Sequence, residues 1–170
     1  MAALGDDPLG PDTRELTRRS NRPILVAGSV PTPMDRVLVA FDGGPNSEMA
    51  LAFGSRFAGI TGAHLDVLHV SSEEAAGRQV LARASGALSV DQVNFEMHLI
   101  DGSLETAVPE TIARLGSNAL FVGAHREESG WRIPSHTEVI LRATDIPVLV
   151  HMQPASPGAR SSTAYRRPAS

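Results

Sequence analysis

Two stretches of this chain hold residue types and spacings suited to a ligand. One runs from Gly123 to Ser135-His136-Thr137-Glu138. A short apolar run stops at Gly123, a polar irregular segment follows, and the S-x-x-E box starts a helix. A helix N-terminus offers free N–H groups and a partial positive charge, so it suits an anion such as phosphate. The other is Asp42-Gly43, where an apolar run ends and Gly44-Pro45-Asn46-Ser47 leads into a helix. An Asp-Gly pair there is also a common plain turn.

Other chemistries are poorly represented. The six histidines (His64, His69, His98, His125, His136 and His151) sit on separate elements, none at metal-ligand spacing. No bound metal is expected. There is no G-x-S-x-G nucleophile elbow and no G-x-x-x-x-G-K-[ST] loop, and no catalytic residue is assigned. Trp131 and Tyr165 are the single residues of their kinds, too little aromatic surface for stacking bases.

The whole chain narrows the classes further. Its 170 residues can bury one core and carry tails. A formal net charge of −4 argues against nucleic acid, which needs a basic face. Without cysteine there is no disulfide framework and no thiol chemistry. The amino terminus lacks the basic and apolar regions of a secretory signal, and no run approaches the length of a membrane span. A cytoplasmic protein is expected.

Strands alternating with helices position these stretches. Residues 1–32 read as a disordered start, a short helix from Asp12 to Ser20, a strand Ile24 to Ala27 and a linker. Residues 33–152 read as one domain. Its strands are Arg36 to Asp42, His64 to Val70, Val93 to Ile100, Asn118 to Gly123 and Val148 to His151. Between the first two, Met49, Phe53, Phe57 and Ile60 recur at helical spacing and are expected to face the sheet. A second capping box, Ser71 to Glu74, is expected to open the next helix, which fades near Gly86. Pro109 falls inside the third helical pattern, so that helix starts late or kinks. Residues 153–170 read as a disordered tail. The alternation requires an α/β fold, with a parallel, doubly wound sheet and helices on both faces.

The carboxy-terminal part of the domain resembles the universal stress protein family. In that family a glycine after the fourth strand, a second three residues on, and a Gly-Ser pair before the last helix cradle the phosphates of ATP. Gly123 matches the first glycine and Ser135 the serine. Arg126 stands in place of the second glycine and Pro134 in place of the third, and the loop is about two residues short. The resemblance implies a five-stranded sheet of order 3-2-1-4-5, an adenine-nucleotide alpha-hydrolase-like sandwich. Its crevice would lie at the carboxyl ends of the first and fourth strands. Asp42-Gly43 would then approach the adenosine part of the ligand, and Val70 would line the adenine. Val70 also reads as a core valine at a strand end. Arg126 either grips phosphate in place of the lost donors or is a solvated loop arginine.

The chain also echoes itself. Setting Pro23 on Pro147, an offset of 124 residues, places Thr13, Arg18, Leu25 and Val26 on identical partners Thr137, Arg142, Leu149 and Val150. Such self-similarity signals repetition. The chain thus resembles the second domain of a tandem member preceded by a remnant of the first; an amino-terminal extension packing on the sheet is the plainer reading. Family dimers pair through the last strand, an edge that needs covering. Either a homodimer or Ile24 to Ala27 of the same chain is expected to cover it. The function implied is a stress-response module acting by oligomerisation or partner binding, with a degenerate ATP site. The alternative is an ATP-binding protein, with magnesium, acting as slow ATPase or sensor through Arg126.

Overall fold

A computed structural model of the protein describes residues 22–27, 31–124, 140–141 and 144–152. The expected helix at Asp12 to Ser20, the box at Ser135 to Glu138 and the tail lie outside the described residues. The described strands are β1 (Ile24–Val26), β2 (Arg36–Ala40), β3 (His64–Val70), β4 (Phe95–Ile100), β5 (Ala119–Ala124) and β6 (Val148–Met152). They form one sheet in the order β1-β6-β5-β2-β3-β4. From β4 to β6 every neighbouring pair is parallel. This is the expected 3-2-1-4-5 order, with β1 added antiparallel outside β6.

β2 is apolar and buried because the sheet is covered on both sides. One face carries Val37, Val39, Leu65, Val67 and Phe121 under helices α1 (Pro45–Thr61) and α2 (Glu74–Asp91). The other carries Leu38, Leu68, Leu120, Val122, Val148 and Val150. Helix α3 (Leu104–Leu115), through Val108, and the helical residues Ile140 and Leu141 close it. Among the described residues no helix is long and apolar enough to cross a membrane.

Four local expectations need correction. On α1, Met49 and Ile60 are exposed, and the fully buried face is Ser47, Ala50, Leu51, Gly54, Ser55 and Ala58, with Phe53 and Phe57 at its margin. Small residues win that face because the helix lies close to the sheet. A Cβ on Gly54 would stand only 3.2 Å from Leu65 and Val39. Phe53 and Phe57 flank this contact and meet the Phe121 ring edge-on, with centroids 5.7 and 5.6 Å away.

Ser71 does not cap α2, whose N-cap is Glu73. Its hydroxyl instead accepts from the Glu73 N–H, closing a local turn that competes with a cap. Nor does α2 fade at Gly86. It continues to Asp91, since Leu88 is buried and anchors the last turns. The third strand begins at Phe95 rather than Val93. Pro109 lies inside α3, five residues after its first residue, where it cannot donate one turn back.

Candidate functional site

The chain runs from β2 outward through β3 to β4, then returns to place β5 on the other side of β2. The switch point is therefore between β2 and β5, where a doubly wound sheet opens a crevice at its carboxyl ends. Three expected positions come together on this rim. Asp42 follows β2, Val70 ends β3, and Gly123 lies in β5 one residue beyond the Ala40–Val122 pair. Val70 is half-buried and packs on the face shared with Val108 and Val122. Arg126 and Ser135, with His125, lie outside the described residues.

Asp42 has a structural task in the turn that leaves β2. Its Oδ1 accepts from the Gly44 N–H at 2.7 Å and from the Ser47 hydroxyl at 2.5 Å. The carboxylate thus sits at the N-terminal turn of α1, where the helix dipole favours negative charge. Gly43 is in the left-handed region, φ +79°, which a residue with a Cβ avoids. The Arg83 guanidinium of α2 donates to the Gly43 carbonyl at 3.3 Å, and it would be struck by any Cβ there. Sequence reading missed Arg83. Its only signal was an arginine on the polar side of a helix, which is ordinary. His69 was also unassigned, and its Nδ1 lies 2.7 Å from the Phe41 carbonyl, bracing the same strand end.

Gly123 is required by close approach. A Cβ there would lie 2.4 to 2.6 Å from the backbone of Asn46 and Ser47, the first turn of α1. The glycine lets a helix N-terminus reach the rim of the sheet. Beside it in β6, His151 is 8% exposed, and burial pushes its imidazole below the usual histidine range.

A second cluster lies at the opposite, amino-terminal end of the sheet. Asp66 of β3 is fully buried. Burial alone would raise its carboxyl pKa, but hydrogen bonds from Arg36 and His98 outweigh it and hold the group below the ordinary aspartate value. Arg36 binds both oxygens, Nε to Oδ2 at 2.7 Å and Nη2 to Oδ1 at 3.1 Å. His98 Nε2 is 2.8 Å from Oδ1, and His64 Nε2 is 3.5 Å from it. The view of the histidines as isolated is thus corrected. His64 and Asp66 are two apart in β3, Glu96 and His98 two apart in β4, and the register sets Asp66 beside Glu96. Parallel pairing puts all four on one face. A single sequence carries no sign of the register in which two strands will pair.

An open cavity of about 640 Å³ lies between α2 and β4, lined by Ser71, Glu74, Arg78, Leu81, Met97 and Asp101. It is on the outer side of the sheet and includes none of the switch-point residues. The Arg78–Glu74 ion pair on its rim is solvent-exposed and contributes little.

Comparison with known proteins agrees with this architecture. The profile of the universal stress protein family matches residues 33–151. A universal stress protein from Archaeoglobus fulgidus aligns with a TM-score of 0.77 and 21% identity, covering 85% of this chain and 56% of that one. One from Burkholderia pseudomallei gives 0.59 and 22%, covering 71% and 98%. A universal stress protein family protein from Arabidopsis thaliana, solved with AMP bound, gives 0.57 and 15%, covering 71% and 92%. No curated protein matches the chain. At such identities the solved structures speak for the fold, whereas the profile spans most of the chain. Together with the doubly wound sheet, it establishes that this chain belongs to the universal stress protein family.

Proposed function

We propose that this protein is a universal-stress-type module that acts by binding partners rather than by catalysis, with a switch-point crevice that binds ATP weakly or not at all. The observation that carries this reading is the composition of the loop after Gly123. Arg126 and Pro134 stand where the resemblance calls for glycines, and proline has no N–H to offer a phosphate. Asp42 Oδ1 is also committed to Gly44 and Ser47. Cover of the β6 edge by β1 supports action through a surface other than that edge.

A second reading keeps the nucleotide. Two solved relatives favour it, one described as a universal stress protein in complex with cAMP and the Arabidopsis protein with AMP. Under it Arg126 supplies the anion contact that the glycines lack. Titration calorimetry with ATP and magnesium, with AMP and cAMP in parallel, separates the two. No heat at millimolar nucleotide supports the first reading. Micromolar binding that Arg126→Ala abolishes supports the second.

The amino-terminal echo fits a tandem ancestry. Relatives of which this chain covers 56 to 60% match 85 to 87% of it, whereas those it covers by 97 to 98% match 70 to 71%. The added alignment is what a preceding repeat would contribute.

A further inference from the structure

We infer that the amino-terminal end of the sheet holds a site for one divalent transition-metal ion of the zinc class, ligated by His64, Asp66 and Glu96. This site is independent of the switch-point crevice and lies at the other end of the strands.

One imidazole nitrogen, one buried carboxylate oxygen and one exposed carboxylate oxygen stand within 4.8 Å of one another. His64 Nε2 reaches no solvent and has no hydrogen-bond partner. Its nearest charged neighbour is Asp66 Oδ1, and an ion between the two would satisfy the nitrogen better than that long ion-pair contact does. Its 3.5 Å separation from Asp66 Oδ1 is long for a hydrogen bond. Two ligands held about 2.0 Å from a tetrahedral ion lie about 3.3 Å apart, which is close to this spacing. Glu96 brings the third donor from the adjacent strand, in register with Asp66.

The surroundings fit a metal ligand. Arg36 grips both oxygens of Asp66, and His98 lies against Oδ1, so the carboxylate is held in place before any ion arrives, and an ion on Oδ1 would displace the longer Arg36 Nη2 contact. Such outer partners orient ligands and tune affinity. Two carboxylates face the single Arg36 guanidinium, an excess of acidic groups that favours a dication. An imidazole ligand selects zinc, nickel or cobalt over magnesium and calcium, which prefer all-oxygen sites. Three protein donors leave a tetrahedral ion one position for water.

The test uses full-length protein freed of metal with chelator, then titrated with zinc sulfate by calorimetry and followed by thermal melting. About one equivalent binds and raises the melting temperature, and magnesium does neither. His64→Gln and Glu96→Gln each weaken that binding by at least about tenfold. Glu96 is exposed, so Glu96→Gln also serves as the variant that folds normally. Its circular dichroism and metal-free melting should match the parent. Absence of zinc binding by the parent overturns the proposal. So does zinc bound equally well by both variants, because other histidines would then hold it.

Discussion

Leu25 of β1 stands directly opposite Leu149 of β6 in the sheet, and Leu149 is also the residue onto which the 124-residue offset carries Leu25. The neighbouring pairs, Ile24 with Val150 and Val26 with Val148, exchange under the same offset. Segments paired this way are related by a local two-fold axis through the Leu25–Leu149 pair. That is the isologous arrangement of a symmetric dimer, here made within one chain. Deleting residues 1–30 should expose the β6 edge and drive the protein towards dimers or aggregates, read by light scattering after size-exclusion chromatography. A truncated protein that stays monomeric and equally stable would defeat the idea.

Substituting Gly123 tests the contact between β5 and the start of α1. Gly123→Ala places a methyl group within 2.4 to 2.6 Å of the Asn46 and Ser47 backbone. Backbone cannot yield as a flexible side chain can, and overpacking of this kind costs about 1–3 kcal/mol. Urea unfolding should show the loss. An unchanged midpoint would mean that α1 slides without cost.

Arg36→Met removes the bidentate partner of a fully buried carboxylate. Removing one member of a buried pair strands the other, but the Arg36 side chain is 32% exposed, so water makes up part of the loss. About 2–3 kcal/mol of destabilisation is expected in chelator-containing buffer, measured by denaturant titration at neutral pH. The loss should shrink at acid pH, where Asp66 of the variant is protonated. A loss that does not change with pH would show that Arg36 acts by packing alone.

His151 makes stability depend on pH. Its folded pKa is below the ordinary histidine value of 6.5, so the unfolded chain takes up the proton first as pH falls. The stabilisation from neutral His151 is complete above pH 6.5 and is lost as pH falls from there through the folded pKa. His151→Leu should flatten the stability profile across that window. An identical slope in parent and variant would assign the dependence to other groups.

Asp42→Ala separates the turn from any ligand role. Loss of the acceptor for Gly44 and Ser47 should cost about 1 kcal/mol, as for a helix cap. Nucleotide titration of the same variant then shows whether the carboxylate does more.

The sequence alone determined the class and order of elements. β2 reads as buried on both faces, Gly43 and Gly44 mark a turn, and the alternation forces a parallel sheet. These features are local, set by backbone preference and by period. Asp42, Val70 and Gly123 were legible because a strand's carboxyl end can be located without knowing its neighbours. The tertiary structure decided which side of each helix is buried and in which register the strands pair. α1 buries Ala50, Gly54 and Ala58 rather than its larger Met49 and Ile60, because the distance between helix and sheet, not hydrophobicity, selects the face. His64, Asp66, Glu96 and His98 form a cluster only because β3 and β4 pair in one register. Strand register is a non-local choice that no window of residues contains, since a one-residue slip would send those side chains to opposite faces.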